Sequence, residues 1–354
     1  MKKIVTVIGA RPQFIKAAAV SKAIAEHPDL SEVIIHTGQH FDDNMSAVFF
    51  DQMQIPRPDY MLDIHSLSHG AMTGRMIEKI EDILLAEQPD LLMVYGDTNS
   101  TLAGALAASK LQIPIAHVEA GLRSFNMRMP EEINRILTDR IATKLFCPTP
   151  TAKENLISEG FQDFDSQIFI SGDVMYDAAL MFSERSIRPE GVDIPEAFIL
   201  ATVHRQENTD DLERLSAIIQ SMNQIASEIA LVFPVHPRTL KLLSNGGLPE
   251  LSDEIFTIPP VGYLEVLHLL KNCQMVVTDS GGMQKEAYFF EKPCITLREE
   301  TEWTELTDAG YNKICGSNSN TILKAFNHFR SKKIRFKPGL YGDGQAARLI
   351  ATKL

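Results

Sequence analysis

Acidic side chains follow two of the apolar runs that this sequence predicts as buried strands. Asp97 comes two residues after the run Leu91–Tyr95, and Glu119 directly follows Ile113–Val118. A third acid, Glu131, stands just after a proline. A positioned carboxylate can take or deliver a proton in a transition state, as general base or acid. The pattern therefore predicts proton-transfer chemistry at one edge of a sheet.

Each of these acids also has a purely structural interpretation. Asp97 could be the N-cap of the helix that follows it, and Glu131 stands where acids ordinarily stabilise the first turn of a helix. Glu119 has no obvious helix to cap, so its structural alternative is an ion pair with Arg123 or Arg128. The sequence leaves these alternatives open.

A phosphate site is predicted in the second half of the chain. The motif Asp279–Gly282 follows the apolar run Met275–Thr278 and opens a helical segment. Its glycines leave backbone N–H groups accessible, and the positive end of the helix dipole attracts anions. Glu286, one turn later, could accept the hydroxyls of a ribose. The structural alternative is an ordinary N-cap followed by flexible glycines.

The histidines indicate donors to a ligand rather than a metal site. His204 and His236 each follow an apolar run and could donate to phosphate or sugar oxygens. His36 and His40 are four residues apart, but Gly38 lies between them at a strand end, so no metal site is predicted. The sequence also lacks a dinucleotide-binding glycine fingerprint, a Walker A motif and a G-x-S-x-G elbow.

These residues require a scaffold in which strands and helices alternate. That alternation runs from end to end and is typical of parallel sheets covered on both faces. In such sheets the ligand crevice lies beyond the carboxyl ends of the strands, where the polar residues gather here. Ten strand candidates exceed what one open sheet usually carries, so the sequence predicts two domains, divided near Gly172, that share one cleft. The predicted strands are Ile4–Ile8, Val33–His36, Leu91–Tyr95, Ile113–Val118, Lys144–Cys147, Ile168–Ile170, Phe198–Val203, Ala230–Val235, Met275–Thr278 and Cys294–Leu297, with Ile255–Ile258 and Asn312–Cys315 as weaker candidates. The predicted helices are Gln13–Glu26, Gly70–Glu87, Asn99–Lys110, Glu131–Ile141, Asp211–Glu228, Gly282–Phe290 and a terminal Gln345–Leu354.

Composition narrows the class of protein. The 354 residues are 44% hydrophobic and 23% charged, which is typical of a globular protein and not of a disordered or fibrous one. The formal net charge of −12 disfavours nucleic acid and anionic membranes as partners. No apolar run reaches about 18 residues, so no membrane span is expected. Four cysteines without a CxxC pair indicate a reducing, cytoplasmic location.

The polar motifs, taken together in order, carry a resemblance to a known family. They are Gly9–Pro12 with Lys16, Thr37–His40, Gly96–Thr98, His117–Arg123, Pro130–Arg135, His204–Arg205 with Glu207–Asn208, His236–Pro237 and Thr278–Ala287. This ordered set resembles the non-hydrolysing UDP-N-acetylglucosamine 2-epimerases over nearly the whole chain. Each motif alone is weak, whereas their order is specific.

The resemblance implies an α/β fold of two Rossmann-like domains of the GT-B type, with the active site in the interdomain cleft. It implies an N-terminal domain of residues 1–171 joined by the C-terminal helix 340–354, and a UDP-binding domain of residues 172–339. The implied reaction inverts C2 of a UDP-activated acetamido sugar by anti elimination of UDP to a 2-acetamidoglucal, followed by re-addition. The family needs neither metal nor redox cofactor and forms homodimers.

The resemblance also assigns site residues, each by its position in a matching motif. The implied catalytic residues are Asp97, Glu119, Glu131, Arg11, Lys16 and His204. The implied substrate and UDP contacts are His40, Arg135, His236, Ser280, Gly281, Gly282 and Glu286.

Two segments depart from the common family pattern. Gln13-Phe14 stands where Glu-Ala is typical, and Thr301–Leu306 replaces Thr-Glu-Arg-Pro-Glu. Together with Ser124–Met129, these variants resemble the branch that epimerises UDP-2,3-diacetamido-2,3-dideoxy-glucuronate for surface polysaccharides such as O antigen or capsule. The substrate is therefore this uronate or UDP-N-acetylglucosamine, and Arg128 is the candidate cation for a uronate carboxylate. A GT-B glycosyltransferase using a UDP-sugar donor and a non-catalytic nucleotide-sugar sensor are the alternative functions.

Overall fold

The computed structural model describes residues 1–39, 56–244 and 246–354. The chain divides into two compact units, Met1–Met181 with Pro338–Leu354, and Phe182–Lys337. In chain order the elements are β1 (Lys2–Ile8), α1 (Arg11–Ala25), β2 (Leu30–His36), β3 (Tyr60–Met61), α2 (His69–Glu87), β4 (Leu91–Tyr95), α3 (Asn99–Lys110), β5 (Ile115–Val118), α4 (Pro130–Ile141), β6 (Lys144–Cys147), α5 (Pro150–Ser158), a 3₁₀ turn (Phe161–Asp163), β7 (Gln167–Ile170), α6 (Val174–Ser183), β8 (Ile199–Thr202), α7 (Gln206–Thr209), α8 (Leu212–Ala226), β9 (Leu231–Pro234), α9 (Pro237–Ser244), β10 (Ile255–Ile258), α10 (Tyr263–Asn272), β11 (Met275–Thr278), α11 (Gly281–Phe289), β12 (Cys294–Thr296), α12 (Thr304–Asp308), β13 (Asn312–Ile314), α13 (Ser319–Ser331) and α14 (Ala346–Lys353).

The first unit is built on a seven-stranded parallel sheet in the order β3-β2-β1-β4-β5-β6-β7. In the central register, Val5 lies between Val33 of β2 and Leu92 of β4. All five residues of β4 are buried, as expected for a strand covered by helices on both faces. The C-terminal helix α14 packs against α1 of this unit.

The second unit is built on a six-stranded parallel sheet in the order β10-β9-β8-β11-β12-β13. Successive strand residues point to opposite faces, so Ile199 joins one buried cluster and Leu200 joins another. The first cluster includes Leu215 of α8 and Phe326 of α13, and the second includes Leu269 of α10. Both sheets have the doubly wound order of Rossmann-like folds, in which ligands bind beyond the carboxyl ends of the strands.

The ten predicted strands and the two weaker candidates are all present, with ends that differ by a few residues. The two-residue strand β3 is absent from the prediction because a run that short carries no periodic signal. Helices α5, α6, α7, α9, α10, α12 and α13 are likewise additional to those predicted. Within the described residues, no helix is long and apolar enough to cross a membrane.

Candidate active site

Asp97 and Glu119 lie at the carboxyl ends of two neighbouring strands of the first unit. β4 and β5 pair through Tyr95 and Val118, and the amide of Gly96 donates to the carbonyl of Val118 at 2.9 Å. Asp97 is not an N-cap, because the side chain of Thr98 caps α3 by accepting from the amide of Thr101. The Asp97 side chain is 29% exposed.

The carboxylate of Asp97 is paired with Arg135 of α4. Nη2 of Arg135 donates to Oδ2 of Asp97, and the Arg135 side chain is buried. The same Arg135 also contacts Glu132, so it connects two carboxylates.

Glu119 is buried, and its carboxylate pairs with Lys16 of α1. Arg123 and Arg128 were the partners that the sequence offered for a structural ion pair, and Arg123 instead pairs with Asp139 and Glu159. Nothing in the sequence indicated the Lys16 pair, because its members are 103 residues apart.

The backbone at Glu119 is strained. Its φ is +71°, in the left-handed region that side chains other than Asn and Asp seldom adopt. Such a conformation costs on the order of 1–3 kcal/mol and is retained where the surrounding structure enforces it, often at functional sites. Here the amides of Glu119 and Ala120 both donate to the carbonyl of Phe146, each at 3.0 Å. These two hydrogen bonds hold the strained backbone of a residue whose carboxylate pairs with Lys16.

Gly96 precedes Asp97 and lies close to the side chain of Glu119, in a backbone conformation that favours glycine. Its φ is +60°, and an added Cβ would lie 3.1 Å from Nζ of Lys16 and 3.2 Å from Oε2 of Glu119. A side chain there would crowd both members of the ion pair. The glycine of the Gly96–Thr98 motif is thus explained by close approach to the Lys16–Glu119 pair.

A buried network beneath these residues fixes their loops. His117 places Nε2 2.7 Å from the carbonyl of Gly96 and Nδ1 2.7 Å from Oδ1 of Asp139. Oδ2 of Asp139 accepts from the amide of Gly121 and from Arg123. Burial by itself favours neutral Asp139, but the charges and hydrogen bonds of His117 and Arg123 outweigh it and lower the pKa of this carboxyl. The sequence motif contained His117, whereas no signal indicated Asp139 as its partner.

The two adjacent acids at the start of α4 have different environments. Glu131 is exposed, whereas Glu132 is fully buried and accepts four hydrogen bonds. Helix-start chemistry applies equally to both positions, so the sequence could not distinguish them. The exposed Glu131 remains a candidate acid or base, and Glu132 is an additional residue connected to the site.

The other predicted residues of the first unit are Arg11, His40 and Arg128. Arg11 is the first residue of α1. His40 lies outside the described residues. The loop before α4 carries Arg128 with an exposed side chain, and its amide donates to Oδ1 of Asn126 at 3.1 Å.

In the second unit, the predicted phosphate motif begins helix α11. Ser280 is the N-cap, and its hydroxyl accepts from the amide of Met283 at 3.4 Å. Among the residues that the structure describes, no atom lies within 4 Å of a Cβ added to Gly282, whereas one added to Gly281 would lie 2.5 Å from Oε1 of Glu302. Glu286 is buried one turn further along the helix. Open backbone at a helix N-terminus is suited to an anion.

Asp279 is a buried structural residue that holds neighbouring loops and is not exposed to a ligand. It is fully buried and accepts from the amide of Arg205 at 2.9 Å, from the amide of His204 at 3.0 Å and from Nδ2 of Asn208 at 3.1 Å. It thereby ties the loop after β8 to the loop after β11. The sequence grouped Asp279 with the phosphate motif and gave no indication of this anchoring role.

His204 and His236 lie together at the carboxyl ends of β8 and β9. Their ring centres are 6.2 Å apart. Nδ1 of His204 is 3.3 Å from Oδ1 of Asp279, and the side chain is 43% exposed. With Nδ1 directed at Asp279, Nε2 is the nitrogen presented to a ligand.

The segment Thr301–Leu306, which departs from the family pattern, contacts helix α11 of this unit. Nη1 of Arg298 donates to Oε2 of Glu302 at 2.9 Å. Trp303 is buried, and Nζ of Lys285 lies 4.0 Å from its ring centre. The described residues contain no group of three or more His, Cys, Asp or Glu side chains that could hold a metal ion.

Comparison with known proteins gives consistent matches over nearly the whole chain. The family model described as UDP-N-acetylglucosamine 2-epimerase matches residues 22–354. The UDP-2,3-diacetamido-2,3-dideoxy-D-glucuronate 2-epimerase of Pseudomonas aeruginosa is 56% identical over 353 residues, covering 99% of both chains. The crystal structure of Methanocaldococcus jannaschii UDP-GlcNAc 2-epimerase in complex with UDP-GlcNAc and UDP superposes with a TM-score of 0.90 at 42% identity, covering 100% of this chain and 99% of the other. The Neisseria meningitidis enzyme bound to UDP-GlcNAc gives a TM-score of 0.88 at 30% identity, covering 99% of each chain.

Proposed function

The chain belongs to the UDP-N-acetylglucosamine 2-epimerase family, and we propose that its substrate is a UDP-activated 2,3-diacetamido-2,3-dideoxy uronate, whose C2 it inverts. It is a 2-epimerase, an isomerase of UDP sugars. The observation that carries the choice of sugar is the 56% identity, over 99% of both chains, to the diacetamido-glucuronate enzyme of Pseudomonas aeruginosa. UDP-N-acetylglucosamine is the second candidate, because the Methanocaldococcus jannaschii and Neisseria meningitidis relatives are bound to that molecule.

The reaction requires a base and a stabilised leaving group at the same moment. The C2 proton is lost to a carboxylate, its bonding electrons form the C1–C2 double bond, and the C1–O bond breaks to release UDP. Re-addition of UDP to C1, with a proton delivered to C2 from the opposite face, gives the epimer. Positioned acid–base groups contribute roughly 10²–10⁴-fold to such a step.

Asp97, Glu119 and Glu131 are the proposed acid–base groups of the first unit. Inversion requires proton transfer on two faces of the glucal, which explains why more than one carboxylate is needed. Support comes from the adjacent strand ends of Asp97 and Glu119 and from the strained φ of +71° at Glu119. Lys16 and Arg11 are proposed to stabilise the departing diphosphate, whose negative charge grows in the transition state.

The second unit is proposed to hold UDP. The backbone of Gly281 and Gly282 with the hydroxyl of Ser280 would bind the diphosphate, and Glu286 would accept the ribose hydroxyls. As an imidazolium, His204 would donate from both ring nitrogens, Nδ1 to Asp279 and Nε2 to a phosphate oxygen. Support comes from the open backbone at Gly282, in the first turn of α11, and from the contact between Nδ1 of His204 and Asp279.

Exchange of hydrogen with solvent tests the reaction. The enzyme is incubated with the UDP sugar in D₂O without an acceptor, and C2 is followed by NMR. We expect deuterium at C2 together with a new manno signal. A glycosyltransferase or a nucleotide-sugar sensor would leave C2 protonated, and that result would refute the epimerase reaction for the sugar tested.

A substrate panel tests the choice of sugar. UDP-N-acetylglucosamine and the 2,3-diacetamido uronate are compared by kcat/KM, and the uronate is expected to be the better substrate. Arg128 is the proposed partner of the uronate carboxylate. Arg128→Ala is therefore expected to reduce turnover of the uronate far more than that of UDP-N-acetylglucosamine, while Arg128→Lys keeps the charge as a matched control. Equal losses for both sugars would eliminate the assignment of Arg128.

We also infer a homodimer in the cytoplasm. The inference rests on the family and on the four cysteines, each of which is buried with a free thiol. Light scattering after gel filtration tests the oligomeric state, and a monomeric mass at micromolar concentration would contradict it.

A further inference from the structure

Glu132 is a buried carboxylate that accepts hydrogen bonds from the loop before α4 and from Arg135. Its Oε2 accepts from the amide of Ser124 at 2.9 Å, from the hydroxyl of Ser124 at 3.0 Å and from Nη1 of Arg135 at 2.7 Å. Its Oε1 accepts from the amide of Phe125 at 2.8 Å. A buried charge is costly unless it is paired and hydrogen-bonded, and here four donors satisfy both oxygens. The orientation of Glu132 is therefore fixed.

Arg135 continues this network to a proposed catalytic group. Nη1 contacts Glu132 and Nη2 contacts Asp97, so one planar guanidinium joins two carboxylates. Because the nitrogens of a guanidinium form a rigid fork, fixing one of them restricts the direction of the other. The Glu132 side chain is 0% exposed and that of Asp97 is 29% exposed, so the network runs from the interior to the open edge.

The same carboxylate holds the loop that precedes α4. The amides of Ser124 and Phe125 both donate to the carboxylate of Glu132. Phe125 has a φ of +58°, and 77% of its surface is exposed. A large apolar residue in this backbone conformation needs support from its surroundings. Glu132 supplies that support while holding Arg135 against Asp97.

We propose that Glu132 is a positioning residue, which orients the carboxylate of Asp97 through Arg135 and fixes the Ser124–Phe125 loop in the same arrangement. The proposal rests on the proposed acid–base role of Asp97. Glu132 is buried and acts through its neighbours without touching the sugar. A displacement of about 1 Å at a reacting group can lower a rate by roughly 10²-fold.

Glu132→Gln is the test. An amide nitrogen cannot accept the hydrogen bonds that Oε2 accepts, and the neutral side chain removes the charge of one of the two carboxylates that Arg135 contacts. We expect kcat for C2 inversion to fall at least 10-fold, while KM for the UDP sugar and the Kd of UDP change less than about twofold. In an Asp97→Asn background the same change should cost far less, since the group that it positions is already lost. Deuterium uptake at C2, measured by mass spectrometry, follows these low rates.

Glu32→Gln is the matched control. Glu32 lies on β2 of the same sheet and accepts from the hydroxyl of Thr6 at 2.5 Å, without contact to Arg135. It should keep the wild-type kcat. If Glu132→Gln does not fold, Glu132→Asp retains the charge but is too short to reach both the amides and Arg135, and the same criteria apply to it.

Two results would overturn the proposal. One is a kcat within twofold of wild type in a folded Glu132 variant, and the other is an equal fold-loss with and without Asp97. A wild-type enzyme that leaves every UDP-acetamido sugar unchanged would instead refute the proposed function, so the two failures are distinguishable.

Discussion

Asp177 makes the stability of the first unit depend on pH. This residue of α6 is buried, and its Oδ1 accepts from the amide of Ala347 at 2.8 Å, in the first turn of α14. Its Oδ2 has no hydrogen-bond partner within the described residues. Burial raises the pKa of Asp177 from 3.8 to about 6, and the nearby charge of Asp173 adds to this, while the amides of Ala347 and Ala346 oppose it. The ionised carboxylate is therefore a cost to the folded state.

The sign and size of the effect follow from linkage. A carboxyl whose pKa is raised on folding binds its proton more tightly in the folded state, so its contribution to stability is complete below pH 3.8 and is lost as pH rises through about 6. A difference of about 2 in pKa corresponds to roughly 3 kcal/mol. Asp177→Asn keeps an oxygen for Ala347 and removes the charge, although its amide nitrogen replaces an oxygen without a partner, which costs about 1–2 kcal/mol.

The assay compares Asp177→Asn with wild type by urea unfolding between pH 4 and pH 8. We expect the variant to be more stable by about 1–2 kcal/mol at pH 8 and less stable than wild type at pH 4, where the cost of the amide nitrogen is no longer offset. Hydrogen exchange of the amides of α14, corrected for intrinsic rates, gives a local readout of the same change. Because other titrating groups are common to both proteins, the difference isolates Asp177. A stability difference that stays constant across this pH range would refute the reasoning.

Two further predictions concern buried cations. Trp303→Arg would set a guanidinium beside Lys285, whose Nζ lies 4.0 Å from the Trp303 ring, and should destabilise the second unit by at least 2 kcal/mol, measured as a lower urea midpoint. Adding Lys285→Glu should recover most of this loss, and a double variant no more stable than the single one would contradict the pairing. Lys16→Met removes the partner of the buried Glu119 and should lower the stability of the first unit by about 3–5 kcal/mol and abolish turnover, checked by thermal unfolding and by C2 exchange. A melting temperature equal to that of wild type would show that the ion pair does not stabilise the fold.

The sequence predicted those parts of the fold that have a local signal. Apolar runs marked the strands and helical periodicity marked α1, α2 and α8, because burial on two faces or on one face leaves a pattern along the chain. Their carboxyl ends then located Asp97 and Glu119. The partners of these residues were not predictable, because Lys16 and Arg135 meet them only through the packing of helices on the sheet. The sequence also did not indicate which residues of one helical turn are exposed, since Glu131 is exposed and the adjacent Glu132 is buried.

The variant segments differ in what they can do to substrate choice. Gln13 is 1% exposed, and its side chain accepts from the amides of Gly9 and Ala10 and donates to the carbonyl of Tyr95. Trp303 is 4% exposed and packs against Lys285. Both residues therefore support loops and do not present a surface to a sugar. The segment 124–129 is different, since it presents exposed apolar and cationic side chains beside α4. Replacing segment 124–129 should therefore change which sugar the enzyme prefers. Replacing the residues at positions 13 and 303 alone should leave the preferred sugar unchanged.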